Sequence, residues 1–432
     1  MKRLVETACL AAICIGLSGC TSVRLDEKLA DYSGDISRLE REVLNQPTAT
    51  DPLRDLGAIY MRTGNAVQAE EYLSAAFDLG GRDGKLLFYL GLATEGVGDH
   101  DTALEHYLRY PEVPRLSPYR SLMEGRYASL VRESAIIEMQ ARIAEEAELS
   151  DTEIEPNVVA VFPMTYQGSD ADYAPLGRGI AEMISLDLQN VNELRVVERA
   201  RLQALIDELA LGESGYVTPA SAPRVGLLLQ AGTIVGGTYN ILSGNTLRLD
   251  PAYVESPSGV THSLSGETAS LARFFELEKR LVFSLLGDLG IQLTEAERTR
   301  IEEIPTQNLQ AFLAYCRGLQ REDERDFSGA ATFFQQAASL DPQFSAAEAG
   351  RGRNAGMRDT GGPGGDPLGG ARRIEPPPPK PLNLLGNRMV QLAGGVQSPI
   401  LPGVDQRQPA TEQGMPPTVK PLRNPPPPPN QN

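Results

Sequence analysis

The chain has 432 residues, enough for two or three domains, and a formal net charge of −17. So acidic a balance lacks the clustered Lys and Arg that a phosphate-binding surface needs, which excludes nucleic acid as an expected partner. Beyond the N-terminus no apolar run approaches the roughly 20 residues of a membrane-spanning helix.

Lys2 and Arg3 precede an apolar stretch, Thr7 to Leu17, that is too short to span a bilayer and reads as a secretory signal over residues 1–19. Its end, Leu17-Ser18-Gly19-Cys20, resembles the lipobox of bacterial lipoproteins. The resemblance implies that the Cys20 thiol carries lipid, that cleavage makes Cys20 the first residue, and that the protein is anchored in the envelope. Thr21, where an Asp would mark retention, implies the outer membrane with the body facing the periplasm. Glu6 departs from the pattern, and an ordinary signal cleaved nearby is the alternative. Cys9 and Cys14 leave with the signal, so Cys316 has no disulfide partner in the mature chain.

Residues 20–50 read as a tether with a short helix, Ile36 to Leu44. A period of 34 then appears: Leu56-Gly57 recurs as Leu90-Gly91, Gly64 as Gly98, Ala69 as Ala103 and Leu73 as Tyr107. Small residues where helices cross and large ones in the groove resemble the tetratricopeptide repeat, expected over 51–150. Gly125 continues the period, so a third, degenerate helix pair is expected from Tyr119 to about Glu148, with Glu145, Glu146 and Glu148 as a soluble cap. One further repeat is expected over 305–350, from Gly318, Ala330, Phe334, Ala337 and Pro342. A single repeat cannot bury its face alone, so it must pack on the middle domain or that domain's last helix.

Residues 155–292 read as an α/β domain of order βαβαβββα with a short extra helix, Val225 to Leu229. Val158 to Phe162 is a buried strand, Leu176 to Leu188 a helix and Leu194 to Val197 a second strand. Leu202 to Leu209 is the next helix, and Thr233 to Ile241 the third strand. A strand near Leu247 is expected to break at Asp250-Pro251, and another runs from Val260 to Thr268. A helix from Leu271 to Leu289 closes the domain. Leu176-Gly177-Arg178-Gly179-Ile180-Ala181-Glu182, Val196-Val197-Glu198-Arg199 and Gly226, Ala231 and Gly237 resemble the CsgG-type curli assembly domain and its FlgO-like and TolB-like relatives. Gly232 stands where that family usually has Asp. The curli channel adds long hairpins to this domain, each strand needing about 9–11 residues. The candidate insertions here, Met164 to Pro175, Leu211 to Ala222 and Glu255 to Val260, are short, so a non-pore member is expected.

From Arg351 onward ten Lys or Arg face five Asp or Glu, and 18 of the 32 Pro lie beyond Gly361. Residues 351–432 therefore read as a disordered, Pro-rich tail. The basic tail on an acidic body implies fold-back contact, separate partners or simply two solvated surfaces. Its apolar island, Leu382 to Ala393, is either a docking motif or a sticky spot in a linker.

No catalytic, cofactor or metal site is expected, and the chain does not read as an enzyme. His100 and His106 are six apart and do not share a helical face. No nucleophile elbow accompanies His262, Ser263 and Ser265. Cys316, beside Tyr315 and Arg317, reads as a packing residue. Arg199 is expected to pair with Glu182 or Glu208, and Gly236-Gly237 to mark close backbone approach or a bulge. The expected function is a periplasmic protein-binding scaffold or assembly factor for an envelope or export machine. Its expected partners are the membrane through the Cys20 lipid and envelope or export proteins through the repeats, with further copies of itself as an open alternative. The alternative is a ring-forming, curli-type channel subunit.

Overall fold

The computed structural model describes residues 32–209, 218, 220–365 and 367–368. Helix α1 (Tyr32–Asn45) leads into two helix pairs, α2 (Thr50–Arg62) with α3 (Ala66–Asp78) and α4 (Gly84–Gly96) with α5 (His100–Leu108). Both pairs turn the same way. Gly64 and Gly98 take left-handed φ values of 81° and 90°, and Asn65 and Asp99 then cap the second helices by accepting from the amides of Gln68 and Thr102.

The third helix pair does not form from contiguous chain. Residues Pro118–Ala144 make one helix of 27 residues, α6. Beyond Gly125 it is rich in Ala and Arg, with no glycine or proline to end it. Glu145 and Glu148 are exposed as the expected cap required, but the helix leading to them does not end the array. Ala135 and Met139 enter the core of the middle domain beside Leu202, Leu205, Val225 and Leu228, and Glu146 pairs with Arg224 at 2.7 Å.

The partner that α6 lacks in sequence comes from far downstream. Helices α12 (Leu309–Asp323), α13 (Phe327–Leu340) and α14 (Ser345–Asp359) form the C-terminal repeat and one helix more, and α14 packs on both α13 and α6. A Cβ at Gly125 would lie 2.2 Å from the carbonyl carbon of Gly356, and one at Gly356 would lie 1.8 Å from Ser121 O. The same crossing joins Gly91 to Tyr107 and Gly318 to Phe334. So α14 is the second helix of the third repeat, and the two ends of the chain build one array. The tail boundary expected at 351 is therefore too early. The stretch is poor in apolar side chains, but Gly350, Gly352 and Gly356 let it press on Phe334, Glu124 and Ser121. Residues 369–432, including Leu382 to Ala393, lie outside the described residues. So do residues 1–31, with Cys20.

The middle domain is a twisted sheet of β1 (Glu155–Val161), β2 (Thr165–Tyr166), β3 (Arg195–Val196), β4 (Ala231–Leu242), β5 (Thr246–Glu255), β6 (Val260–Ser263) and β7 (Glu267–Ser270). The order is β3-β1-β4-β5-β6, with β2 also on β4 and β7 also on β5. β1 is parallel to β3 and β4, and the later strands are antiparallel. Alternate β1 residues serve opposite faces, as a strand covered on both sides requires. Val159 and Val161 face α7 (Leu176–Leu188), α10 (Phe274–Asp288) and α12. Val158, Ala160 and Phe162 face α8 (Arg199–Glu208), α9 (Ala222–Leu229) and the end of α6. The capped helix α11 (Glu295–Glu302) leads on to α12, and its Glu297 accepts from the amide of Asn192.

Two strand expectations fail together. β5 runs unbroken through Asp250-Pro251, with Pro251 opposite Gly237. Pro251 O accepts from Leu264 N at 3.1 Å, so its missing N–H points away from β4, to the side where the ladder is already interrupted. There the strand expected from Val260 to Thr268 is split into β6, paired with 252–255, and β7, paired with 246–249. Gly237 does make the expected close approach, to the backbone of Asp250 and Pro251, with no bulge in the β4–β5 register. Among the described residues no helix is long and apolar enough to cross a membrane.

Candidate functional site

The first helices of successive repeats touch each other, α2 on α4 and α4 on α6, and so form one row along the array. Charged side chains tie this row together. Arg54 reaches Asp51, Asp55 and Asp83 at 2.9, 3.0 and 3.2 Å, and Lys85 reaches Asp55 at 2.9 Å. Burial works against the Asp55 charge, but Arg54 and Lys85 still hold its carboxyl below the usual range. Further along, Arg126 is 2% exposed. Its Nε donates to both Glu95 oxygens, at 2.9 and 3.1 Å, and Glu95 also accepts from the Tyr107 hydroxyl at 2.9 Å. The apolar residues Phe88, Leu92 and Leu122 of the same helices are buried.

Where the array meets the middle domain, the charges converge on the last turn of α12. Two acids there oppose the helix dipole, and four arginines from four helices answer them. Arg132 of α6 donates to Glu322 O at 2.9 Å and pairs with its carboxylate at 3.3 Å. Arg353 of α14 pairs with Glu322 at 2.9 Å, beside Asn354 Nδ2, also at 2.9 Å. Arg178 of α7 pairs with Asp323 at 3.0 Å. Arg199 of α8 pairs with Asp323 and, at 3.3 Å, with Glu322. Burial disfavours the Glu322 charge, yet Arg353, Arg199 and Arg132 outweigh it and hold the carboxyl far below the usual range. Glu182 responds the other way: burial raises it against the pull of Arg199 and Arg353. The arrangement can lock helices together and offers no free nucleophile.

This cluster corrects the sequence expectation for Arg199, whose partners are Glu322 and Asp323, while Glu208 accepts from Gln140 at 2.8 Å. Acids in the last turn of a helix were the one available signal. The other singled-out residues are scattered. His106 packs edge-on against Phe77, at 5.5 Å between ring centroids, and burial lowers its pKa. His100 begins α5, and Asp99 caps it. Among the described residues no group of three His, Cys, Asp or Glu is placed to hold a metal. His262 stacks on Tyr253 and meets Glu255 at 2.9 Å. Cys316 is buried with its Sγ over Gly179, where a Cβ would lie 2.2 Å away, and burial pushes its thiol up.

Gly177 and Gly179 have separate roles. A Cβ at Gly177 would lie 1.9 Å from Met164 O, so the start of α7 presses on the end of the sheet, where Tyr239 Oη accepts from Gly177 N at 3.1 Å. Gly179 admits α12. Residues 154–245, which contain this motif, match the family described as Curli production assembly/transport component CsgG. The middle of the chain is a CsgG-type domain. In it the Leu176–Gly179 motif is the platform on which the C-terminal repeat docks. Gly232, the departure from the family pattern, has a local reason here, since a Cβ would lie 2.7 Å from Pro156 Cα. The chain is also similar to BBSome complex member bbs-4 of Caenorhabditis elegans, at 31% identity over 88 residues. That match covers 20% of this chain and 19% of the relative, so the chain spans about a fifth of the length of the curated relative it matches.

Proposed function

We propose that this protein is a lipid-anchored scaffold of the bacterial envelope, attached through Cys20 at the outer membrane and facing the periplasm. It binds a protein partner through its helical array and serves the assembly of an export machine without catalysis of its own. The observation that carries this reading is the joining of one repeat array to a CsgG-type domain through the Glu322–Asp323 cluster, which makes array and domain a single rigid support. Family membership of the domain supports an export-related role, and the array supports protein binding. The curli-type channel subunit is the second reading. Against it, the described hairpins are absorbed within the domain: β4 and β5 pair along Thr233–Leu242, and Glu255 to Val260 is a tight turn.

The test is purification of the tagged, lipidated full chain from gently solubilised native membranes, with mass spectrometry and the intact mass of the complex. The scaffold reading expects a low-order assembly with a stoichiometric envelope protein that is lost on Lys85→Glu. A large symmetric homo-oligomer without a partner overturns it in favour of the channel.

A further inference from the structure

The segment after α14 does not leave the molecule. Gly361, Gly362 and Gly364 take φ values of 79°, 69° and 69°, and this left-handed run folds the chain back over α6. Arg126 Nη1 donates to Gly362 O at 3.3 Å. Gly364 N donates to Glu133 Oε1 at 2.8 Å, and Glu133 also pairs with Arg126 at 3.2 Å. On the other side a Cβ at Gly362 would lie 2.5 Å from the Phe327 ring at the start of α13. Leu368, nine residues past the end of α14, is 1% exposed.

A glycine- and proline-rich connector is ordinarily solvated, because it gains too little on ordering. Here it has a seat of defined chemistry. A buried arginine, itself held by Glu95 of α4, presents a donor to a backbone carbonyl, and a carboxylate accepts a backbone N–H. Only glycine fits against the aromatic ring. We propose that residues 361–365 and Leu368 are a built-in peptide ligand of the face between α6 and α13, and that a partner engages this face by displacing them with a turn-forming, glycine-containing segment carrying one apolar side chain. The inference rests on the array being the partner-binding face. Its test reads the segment itself, so its failure leaves that reading standing.

Two measurements on the full chain decide it. In the wild-type protein, hydrogen exchange at the Gly364 amide is expected to be slowed at least ~10-fold against the unstructured rate, since that amide is bonded in the native state. Exchange at the unstructured rate overturns the proposal. The second measurement is fluorescence anisotropy of a labelled synthetic peptide spanning residues 359–370. A tethered ligand competes at an effective concentration in the millimolar range. The peptide is therefore expected to bind the Leu368→Asp protein ~10-fold or more tightly than the wild type. Equal affinity for both proteins, or binding to neither, overturns it. The exchange measurement needs no variant and stands even if Leu368→Asp fails to fold.

Discussion

Replacing Gly125 with alanine asks whether α14 really is the missing helix of the third repeat. In an unhindered helix Gly→Ala gains about 0.8–1.0 kcal/mol, because alanine loses less backbone entropy. At Gly125 the new Cβ would sit 2.2 Å from the Gly356 carbonyl carbon and 2.3 Å from Met357 N, where carbon contacts settle at about 3.5–4.0 Å. Both obstacles are backbone, so no rotamer change relieves them, and α6 and α14 must separate by more than ~1 Å. Overpacking of this kind typically costs about 1–3 kcal/mol and cancels or outweighs the propensity gain, so the net effect is a loss of about 0–2 kcal/mol. Gly287→Ala is the control. That glycine lies in α10, is exposed, and has nothing within 4 Å of its Cβ position. Its substitution is expected to stabilise by up to ~1 kcal/mol. The assay is denaturant unfolding of the full chain, compared at equal m-value. Gly125→Ala and Gly356→Ala together are expected to cost less than their sum, because helices already parted accommodate both methyls. If Gly125→Ala stabilises the protein as the control does, the composite repeat is wrong.

Other consequences concern charge, strain and the thiol. Burial raises Glu124, at the α6–α14 contact, to about 7, against Arg353, Arg120 and Arg351 and with help from Glu348. A carboxyl raised in the folded state leaves stability intact below the unfolded pKa of about 4.5 and loses it as pH climbs through 7. Glu124→Gln is thus expected to unfold at higher denaturant than wild type at pH 8, by roughly 1–3 kcal/mol, and to match it at pH 4; a pH-independent difference would contradict this. Glu322→Ala strips the acid that holds Arg132, Arg199 and Arg353 and is expected to cost about 3–5 kcal/mol in the same unfolding assay. A loss below ~1 kcal/mol would mean that the cluster contributes little. Arg325, at the turn before α13, has φ 60°, where the N-terminal repeats carry Gly64 and Gly98. Arg325→Gly is expected to stabilise by up to ~1 kcal/mol through relief of the left-handed strain, and a destabilisation would refute that account. The buried Cys316 should react with maleimide only as fast as the protein opens, so native labelling at the rate of a free thiol would place it wrongly.

The repeat period and the order of elements in the CsgG-type domain were legible because both are written in local spacing. Leu, Gly and Ala at a period of 34 place α2 to α5, and β-branched runs between turn residues place β1 and β4. What escaped has its cause elsewhere in the chain. Nothing near Gly125 says that its partner is Gly356. Helix α14 itself, rich in Gly and Arg, reads as the start of a tail because its fit depends on small size rather than apolar periodicity. Asp250-Pro251 looked like a strand end because the gap between β6 and β7, which makes the proline harmless, is visible only in the sheet. The partners of Arg199 lie 120 and more residues away, so the sequence could offer only the nearer acids.

The closure of α6 by α14 also sets a schedule. Arg126 and Gly362 are 236 residues apart, so the third repeat has no second helix while most of the chain is still being made. A repeat array can ordinarily fold from one end as each pair emerges. Here the α6 surface and the α7 surface that awaits α12 stay uncovered until residues 309–359 arrive. Contacts so distant slow folding and prolong the exposure of apolar surface. The newly made chain is therefore a natural client for a holding chaperone, and a chain cut short before Ser345 is expected to be cleared by proteolysis rather than to persist as a working N-terminal half.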